Sequence, residues 1–422
     1  MRNVAVFVAL FLAAVSPIPA QETTGGLQGS VADEVGNPIA EATVEAKGSF
    51  GTVSTVSNDE GAYRLPRLPP GNYVISATLG GFPTVDSEVR VVLGEVVTVD
   101  FTLQRAAFAE EIQIYSNTIT IDFAENQTAT SIRQQEIDYL PRGRDFTDVI
   151  TFAAGAAYEN QGGGFMIDGA TGLENRFVID GVNTTDPRLG DSSVPMRAEL
   201  MEEVQVKSAG YSAEYGGAVG GVINAVTRSG SNQFHGALFV DIENNAWNGS
   251  ARPELERSPC TRCETDDGSV ETVTYDKDDE VRYDPGFTLG GPIVRDRLWF
   301  FASYIPGFRT TKRVVDWVSY PADTYRKDFK IDYATANLTG NLGGNLLLKA
   351  GFNIAPYTRD GFLPNPDGKA DVPDQEEWAP LGTEGERTTY YLNLDWIVSD
   401  SFVVSARGSY YRTNTNDIGI PR

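Results

Sequence analysis

The sequence predicts a mainly β protein: a small β-sandwich, then an α+β segment, then a long antiparallel run of strands. Three observations carry this. The 422 residues include 43 glycines, 18 tyrosines and 21 phenylalanines, the usage of a chain with many strands and turns. After Asn232, apolar residues recur at every second position, the period of a strand. No apolar run reaches the roughly 18 residues that a membrane-crossing helix needs. The length allows roughly two to four domains. A net charge of -24 and a pI near 4.4 argue against a nucleic-acid partner, which selects for a basic footprint.

Residues 1–20 read as an export signal: Arg2 is the positive end, Val4 to Val15 the apolar core, and Ile18-Pro19-Ala20 the cleavage site. The alternative, a membrane anchor, fails on length. An exported chain with no spanning helix enters a membrane only as a closed β-barrel, because every backbone polar group must be paired there.

Residues 21–105 form the predicted sandwich. Leu27, Gly29 and Val31 alternate, a turn follows at Asp33 to Pro38, and Ala42, Val44 and Ala46 alternate again. Asp59-Glu60-Gly61 and Leu68-Pro69-Pro70-Gly71 are further turns, leading into Tyr63 and Leu65 and into Tyr73-Val74-Ile75. Val91 to Leu103 is expected as the last strand. The pattern Gly29-x-Val31-x-Asp33, Gly36-x-Pro38-Ile39, Asp59-x-x-x-Tyr63 and Leu68-Pro69-Pro70-Gly71-x-Tyr73 resembles the carboxypeptidase regulatory-like domain, a transthyretin-like sandwich. That name does not imply catalysis, since residues 21–105 hold no histidine for a zinc ligand set.

The stretch from Arg176 to Asn232 organises the rest. Asp180-Gly181 between apolar residues is a two-residue hairpin signal. Glu203 to Lys207 alternates as a half-buried strand does. Gly216, Gly217, Gly220 and Gly221 flank a short apolar run, where backbone bends sharply or approaches closely. A phosphate-cradling loop is excluded, because no Gly-Lys-Ser/Thr follows. Ile179-Asp180-Gly181-Val182, Glu203-Val204-Gln205-Val206 and Tyr215-Gly216-Gly217-Ala218-Val219-Gly220-Gly221-Val222-Ile223-Asn224 resemble the plug of TonB-dependent outer-membrane receptors, in their Oar-like branch. Pro141-Arg142-Gly143-Arg144-Asp145-Phe146 matches the same family.

The resemblance implies a plug over residues 118–230. Within it, Ile132 to Tyr139 is expected as a helix stopped at Pro141. Asp145 is expected to cap a second helix that buries Phe146, Val149 and Ile150, and Pro195 to Met201 to form a third. Residues 106–117 join sandwich to plug. There Glu110, Glu111, Ile112, Gln113 and Ile114 resemble a TonB box, which adds as a strand to the partner's sheet. The other reading of this segment is the first plug strand, and the two are compatible if the strand detaches.

Residues 231–422 read as seven strands. Phe234, Gly236, Leu238, Val240 and Ile242 share one face of the first. Phe287, Leu289 and Ile293 begin the second, Trp299 to Ile305 lie in the third, Phe329 to Tyr333 in the fourth and Leu346 to Ile354 in the fifth. Tyr390 to Val398 and Phe402 to Tyr410 are the sixth and seventh. Connections alternate long (Asn245 to Pro285, Gly307 to Arg326, Ala355 to Arg387) and short, as in outer-membrane barrels. The fold expected is the first part of an antiparallel outer-membrane β-barrel. Seven strands fall short of the roughly 22 of plugged transporters, so the sequence reads as a truncated piece of a longer receptor. The alternative, a short protein with open sheet edges, is penalised in hydrocarbon.

Cys260 and Cys263 in the first long loop suggest a disulfide in an exported protein, or a reduced pair. A metal site would require two more ligands. Residues 252–284 carry eleven Asp/Glu against five Lys/Arg. Calcium binding and a solvated acidic surface are the two readings, and no EF-hand spacing favours the first. The sole histidine, His235, leaves no nucleophile, base and orienter to assemble, so no catalytic residue, metal or cofactor is expected. What the resemblance implies is a receptor in the outer membrane, amid its lipid and lipopolysaccharide. It would bind an unidentified extracellular ligand and import it with energy from the periplasmic domain of TonB. The alternative is an adhesin or assembly protein that keeps the architecture without import.

Overall fold

The computed structural model describes residues 23–104, 128–141, 143–159, 163–186, 188–212, 215–250, 253–257, 270–315, 317, 321–366, 381–399 and 402–418. The export signal, the segment from Glu110 to Ile114, and Cys260 and Cys263 lie outside the described residues.

The first domain holds β1 (Gly25–Asp33), β2 (Thr43–Gly48), β3 (Gly51–Val56), β4 (Ala62–Leu68), β5 (Gly71–Thr78), β6 (Val85–Val91), β7 (Val96–Thr98) and β8 (Phe101–Leu103). One sheet runs β4-β1-β7, with β8 also pairing β1, and the other β3-β2-β5-β6. Alternation decides what is inside: Leu27, Val31, Val44, Ala46, Leu65 and Ile75 close the core between the sheets. The expected last strand from Val91 to Leu103 is instead the end of β6 and two short strands. The ladder breaks at Val99 and Asp100, where the Asp100 carboxylate accepts bonds from the backbone N–H (2.8 Å) and hydroxyl (2.7 Å) of Ser30.

The middle domain begins with β9 (Thr128–Arg133), which runs straight into α1 (Gln134–Ile137). The helix expected from Ile132 therefore starts two residues late and is a single turn, because Ile132 pairs with Val204 in the sheet. A 3₁₀ helix, Phe146–Phe152, buries Phe146, Val149 and Ile150 as expected. Its cap is reciprocal, with the Asp148 side chain accepting from the Asp145 N–H at 2.9 Å. Next come β10 (Ala156–Tyr158), β11 (Phe165–Ile167), β12 (Arg176–Ile179), β13 (Val182–Asn183), β14 (Met201–Ala209) and β15 (Val222–Thr227). The expected helix at Pro195 to Met201 shrinks to one 3₁₀ turn, Ala198–Leu200, since Met201 already pairs with Thr227. The sheet order is β13-β12-β15-β14-β9, with β12 and β15 parallel.

The third domain contains β16 (His235–Asn244), a small hairpin of β17 (Glu254–Arg257) and β18 (Val270–Val273), and then β19 (Asp279–Val294), β20 (Leu298–Val315), β21 (Asp323–Leu342), β22 (Leu346–Asp360), β23 (Gly382–Ser399) and β24 (Phe402–Ile418). β16 and β19 to β24 form one open antiparallel sheet in chain order. All seven expected strands are present, but β19 to β23 run further than expected, mostly at the long-connection end. Residues 279–286, 307–315, 323–326, 355–360 and 382–387 belong to strands rather than loops. These extensions are polar, so apolar alternation fades where the ladder continues. Outward positions are apolar and exposed, as at Leu238, Val240, Phe287, Leu289, Leu392, Trp396 and Val404. Inward positions are polar and buried, as at Thr288, Ser303, Asn337, Asn353, Asn393 and Asp395. That inversion is the surface of a sheet that faces lipid.

Candidate functional site

The middle domain sits on the inner face of this wall. Phe146, Ile150, Phe177, Ile179, Ile223 and Ala225 share one apolar cluster with Phe301, Ile305, Ile331 and Ala355 of the strands. Two polar clamps fix its position.

The first clamp grows from the hairpin turn. Ile179 pairs with Val182, which leaves Asp180 and Gly181 as a two-residue turn at φ 49° and 77°. Both values are left-handed, so the turn favours Asp or Asn followed by Gly. The turn drives Asp180 into full burial. Its carboxylate accepts from the Thr227 hydroxyl at 2.6 Å and the Thr227 N–H at 3.1 Å, and from Lys349 Nζ at 2.6 Å. Asn393 Nδ2 donates to the Asp180 carbonyl at 2.9 Å. Asn337 extends the chain, donating to Thr227 Oγ1 at 2.7 Å and accepting from the Tyr391 hydroxyl at 2.7 Å. Thus β22 and β23 reach the turn itself, and β21 reaches Thr227, which the turn's Asp180 also holds.

The second clamp lies toward the end with the long connections. Arg144 pairs with Asp284 of β19, and fully buried Arg197 lies 3.4 Å from both Asp284 and Asp241. Arg282 closes on Asp284 at 3.1 Å. Three guanidinium groups converge on one oxygen of this buried carboxylate, Oδ2, while Oδ1 has no hydrogen-bond partner among the described residues.

The glycine-rich run packs by close approach. A Cβ on Gly220 would lie 2.6 Å from Asn175 Oδ1, and one on Gly221 2.4 Å from the Ile167 side chain. Asn175 Oδ1 in turn accepts from the Gly221 N–H at 2.8 Å. Gly216 and Gly217 make the turn before this contact, with Gly217 at φ 91°. Asn224 is buried mid-strand between Val178 and Gln205, 3.5 Å from the Tyr215 hydroxyl.

β14 departs from expectation. Alternation predicts a half-buried strand, yet Glu203, Gln205 and Lys207 are all buried. Lys207 Nζ lies 4.8 Å over the Tyr215 ring. Glu203 and Gln205 are covered by the sandwich turn that follows β6. Burial, the largest influence, pushes the Glu203 carboxyl above the usual carboxylate range, while its hydrogen bonds to Ser131 and Leu93 and the charges of Arg90 and Arg133 oppose the shift.

Of the residues singled out from sequence, Asp180, Gly181, Glu203, Gly216, Gly217, Gly220, Gly221 and Asn224 all belong to this one domain. Among them, Asp180 is bonded to the wall through Lys349 and Asn393. Lys349, Arg144 and Arg197 were missed as partners. An inward charge within an alternating strand, at Lys349, was the one available signal.

Residues 26–104 match the carboxypeptidase regulatory-like domain, residues 123–222 the TonB-dependent receptor plug domain, and residues 226–421 an outer membrane beta barrel domain. The TonB-dependent transporter Oar of Myxococcus xanthus is 33% identical over 321 residues, which is 73% of this chain and 29% of that protein. The chain belongs to the TonB-dependent receptors. Its place is the outer membrane, with the middle domain as plug and β16 and β19 to β24 as barrel wall. The chain spans 29% of the length of its Oar relative. The outer membrane transporter YddB from Escherichia coli shares the fold at TM-score 0.50 and 14% identity, over 67% of this chain and 38% of that one. The ferric enterobactin receptor of Pseudomonas aeruginosa aligns at TM-score 0.46 and 17% identity, over 68% of this chain and 41% of that one.

Proposed function

We propose that the protein binds an extracellular ligand on the outer face of the plug and the long connections, and imports it when TonB pulls on the plug. It performs no catalysis. The observation that supports this most is the seat of the plug. The plug covers the inner face of the wall, so passage requires it to move. Its fastenings there include charge pairs and hydrogen bonds, which water can replace as they part. Glu110, Glu111, Ile112, Gln113 and Ile114 are the segment on which TonB would act, by strand addition.

The test uses intact receptor in detergent and the purified periplasmic domain of TonB, with binding followed by interferometry. Ile112→Pro removes a ladder donor and is expected to weaken binding at least about tenfold. Unchanged binding would overturn the energised-import reading and leave the adhesin or assembly role.

A further inference from the structure

The sandwich touches both plug and wall through two anchors. The first is Leu93, in the turn between β6 and β7. Leu93 is fully buried although it lies outside the sandwich's own apolar cluster. Its N–H donates to Glu203 Oε1 at 3.4 Å, and its carbonyl accepts from Gln205 Nε2 at 3.0 Å. Both partners are on β14. The second anchor is the turn between β2 and β3. The Ser49 carbonyl accepts from the Asn232 N–H at 3.1 Å, and the Phe50 ring meets Trp299 edge-on at 5.8 Å. Asn232 is itself tied to the tight wall turn, with its Nδ2 donating to Asp296 Oδ1 at 2.7 Å and its Oδ1 accepting from Trp299 Nε1 at 2.8 Å.

Glu203 Oε1 has a second donor, the Ser131 hydroxyl at 2.7 Å. Ser131 is on β9, the edge strand of the plug sheet. One carboxylate oxygen therefore holds the sandwich turn and the first plug strand together. The contact is not tightly closed. A cavity of about 70 Å³ remains between the domains, lined by Phe50, Tyr73, Glu202, Trp299 and Lys349 among others.

We propose that the sandwich braces the plug from the tight-turn side, and that Glu203 is the joint at which withdrawing β9 releases the brace. The brace spans plug and wall, so it opposes their separation while both anchors hold. Peeling β9 from β14 breaks the Ser131 bond and uncovers the strand on which Leu93 rests. The release step rests on the import reading above. The brace itself does not.

Hydrogen exchange on intact receptor in detergent, without TonB or ligand, separates the two. Glu203→Ala attacks the plug anchor and Phe50→Ala the wall anchor, and a heat-modifiability gel checks that each barrel is folded. Each variant is expected to speed exchange at least about tenfold in peptides covering 92–95 and, together with them, 128–133, with strand peptides of the wall unchanged. Glu203→Gln, which keeps an acceptor, should stay near wild type. If residues 128–133 keep wild-type exchange while residues 92–95 open, the sandwich does not hold the first plug strand and the proposal fails. If Glu203→Ala does not fold, the Phe50→Ala comparison decides. Loss of TonB binding in the separate test would leave this result standing.

Discussion

At the scale of single residues, several buried charges, Asp180, Arg197, Glu203 and Asp284, sit at joints between domains. Asp180 and Lys349 are an inward-facing ion pair linking a plug turn to β22, and each has further hydrogen bonds. Removing one partner of such a pair strands the other. Lys349→Met is expected to weaken plug seating by about 3–5 kcal/mol, seen as faster proteolysis or exchange at the Asp180-Gly181 turn in a folded barrel. Adding Asp180→Asn to Lys349→Met should recover much of the loss, because no orphaned charge remains. A double variant as loose as the single one would show that the ion pair is incidental to the seat. Asp180 and Gly181 were legible because the turn is local: two adjacent residues declare it. Lys349 and Arg197 were not, since their partners lie 169 residues away in one case and 44 in the other. Nothing near a lone charge in the sequence announces so distant a mate.

Secondary elements were legible where their period repeats and misread where tertiary pairing overrode local preference. Ile132 was expected to open a helix stopped at Pro141, yet the free edge of β14 recruits residues 128–133 as a strand. β3 escaped notice because Gly51 to Val56 has too few large apolar residues to mark a face. The sandwich as a unit was readable, because its turns and alternation are self-contained. Its core draws on every β-strand from β1 to β8 except β3 and β7 for fully buried residues, and none of these comes from another domain. It follows that residues 23–104 should fold alone. A cooperative thermal melt and dispersed amide resonances are expected from the isolated domain. Leu93 and Phe50, which face the plug and wall, should then be solvent-exposed without unfolding the core. A broad, non-cooperative melt would mean that the sandwich borrows stability from the plug.

For the whole molecule, the deciding pattern is the inverted alternation of the wall, and it separates two kinds of position one residue apart. Leu392 points outward and is 46% exposed, whereas its neighbour Asn393 is buried and holds the Asp180 carbonyl. In water the first would be an unremarkable surface leucine; in a bilayer it is part of the apolar band. Leu392→Arg in the intact receptor places a charge in hydrocarbon at a cost of about 2–4 kcal/mol near the midplane. Lower yield in the outer-membrane fraction and a reduced folded band on a heat-modifiability gel are expected. Asn393→Leu should do the opposite. It adds apolar volume on the inner face, so insertion proceeds, but it removes a bond to the plug turn, and exchange at Asp180-Gly181 should rise. Alternation in sequence reveals two faces and does not say which of them meets lipid. The buried Thr, Asn and Asp opposite exposed Leu, Val and Trp assign them. If Leu392→Arg inserts as well as wild type while Asn393→Leu does not, the two faces have been assigned the wrong way round.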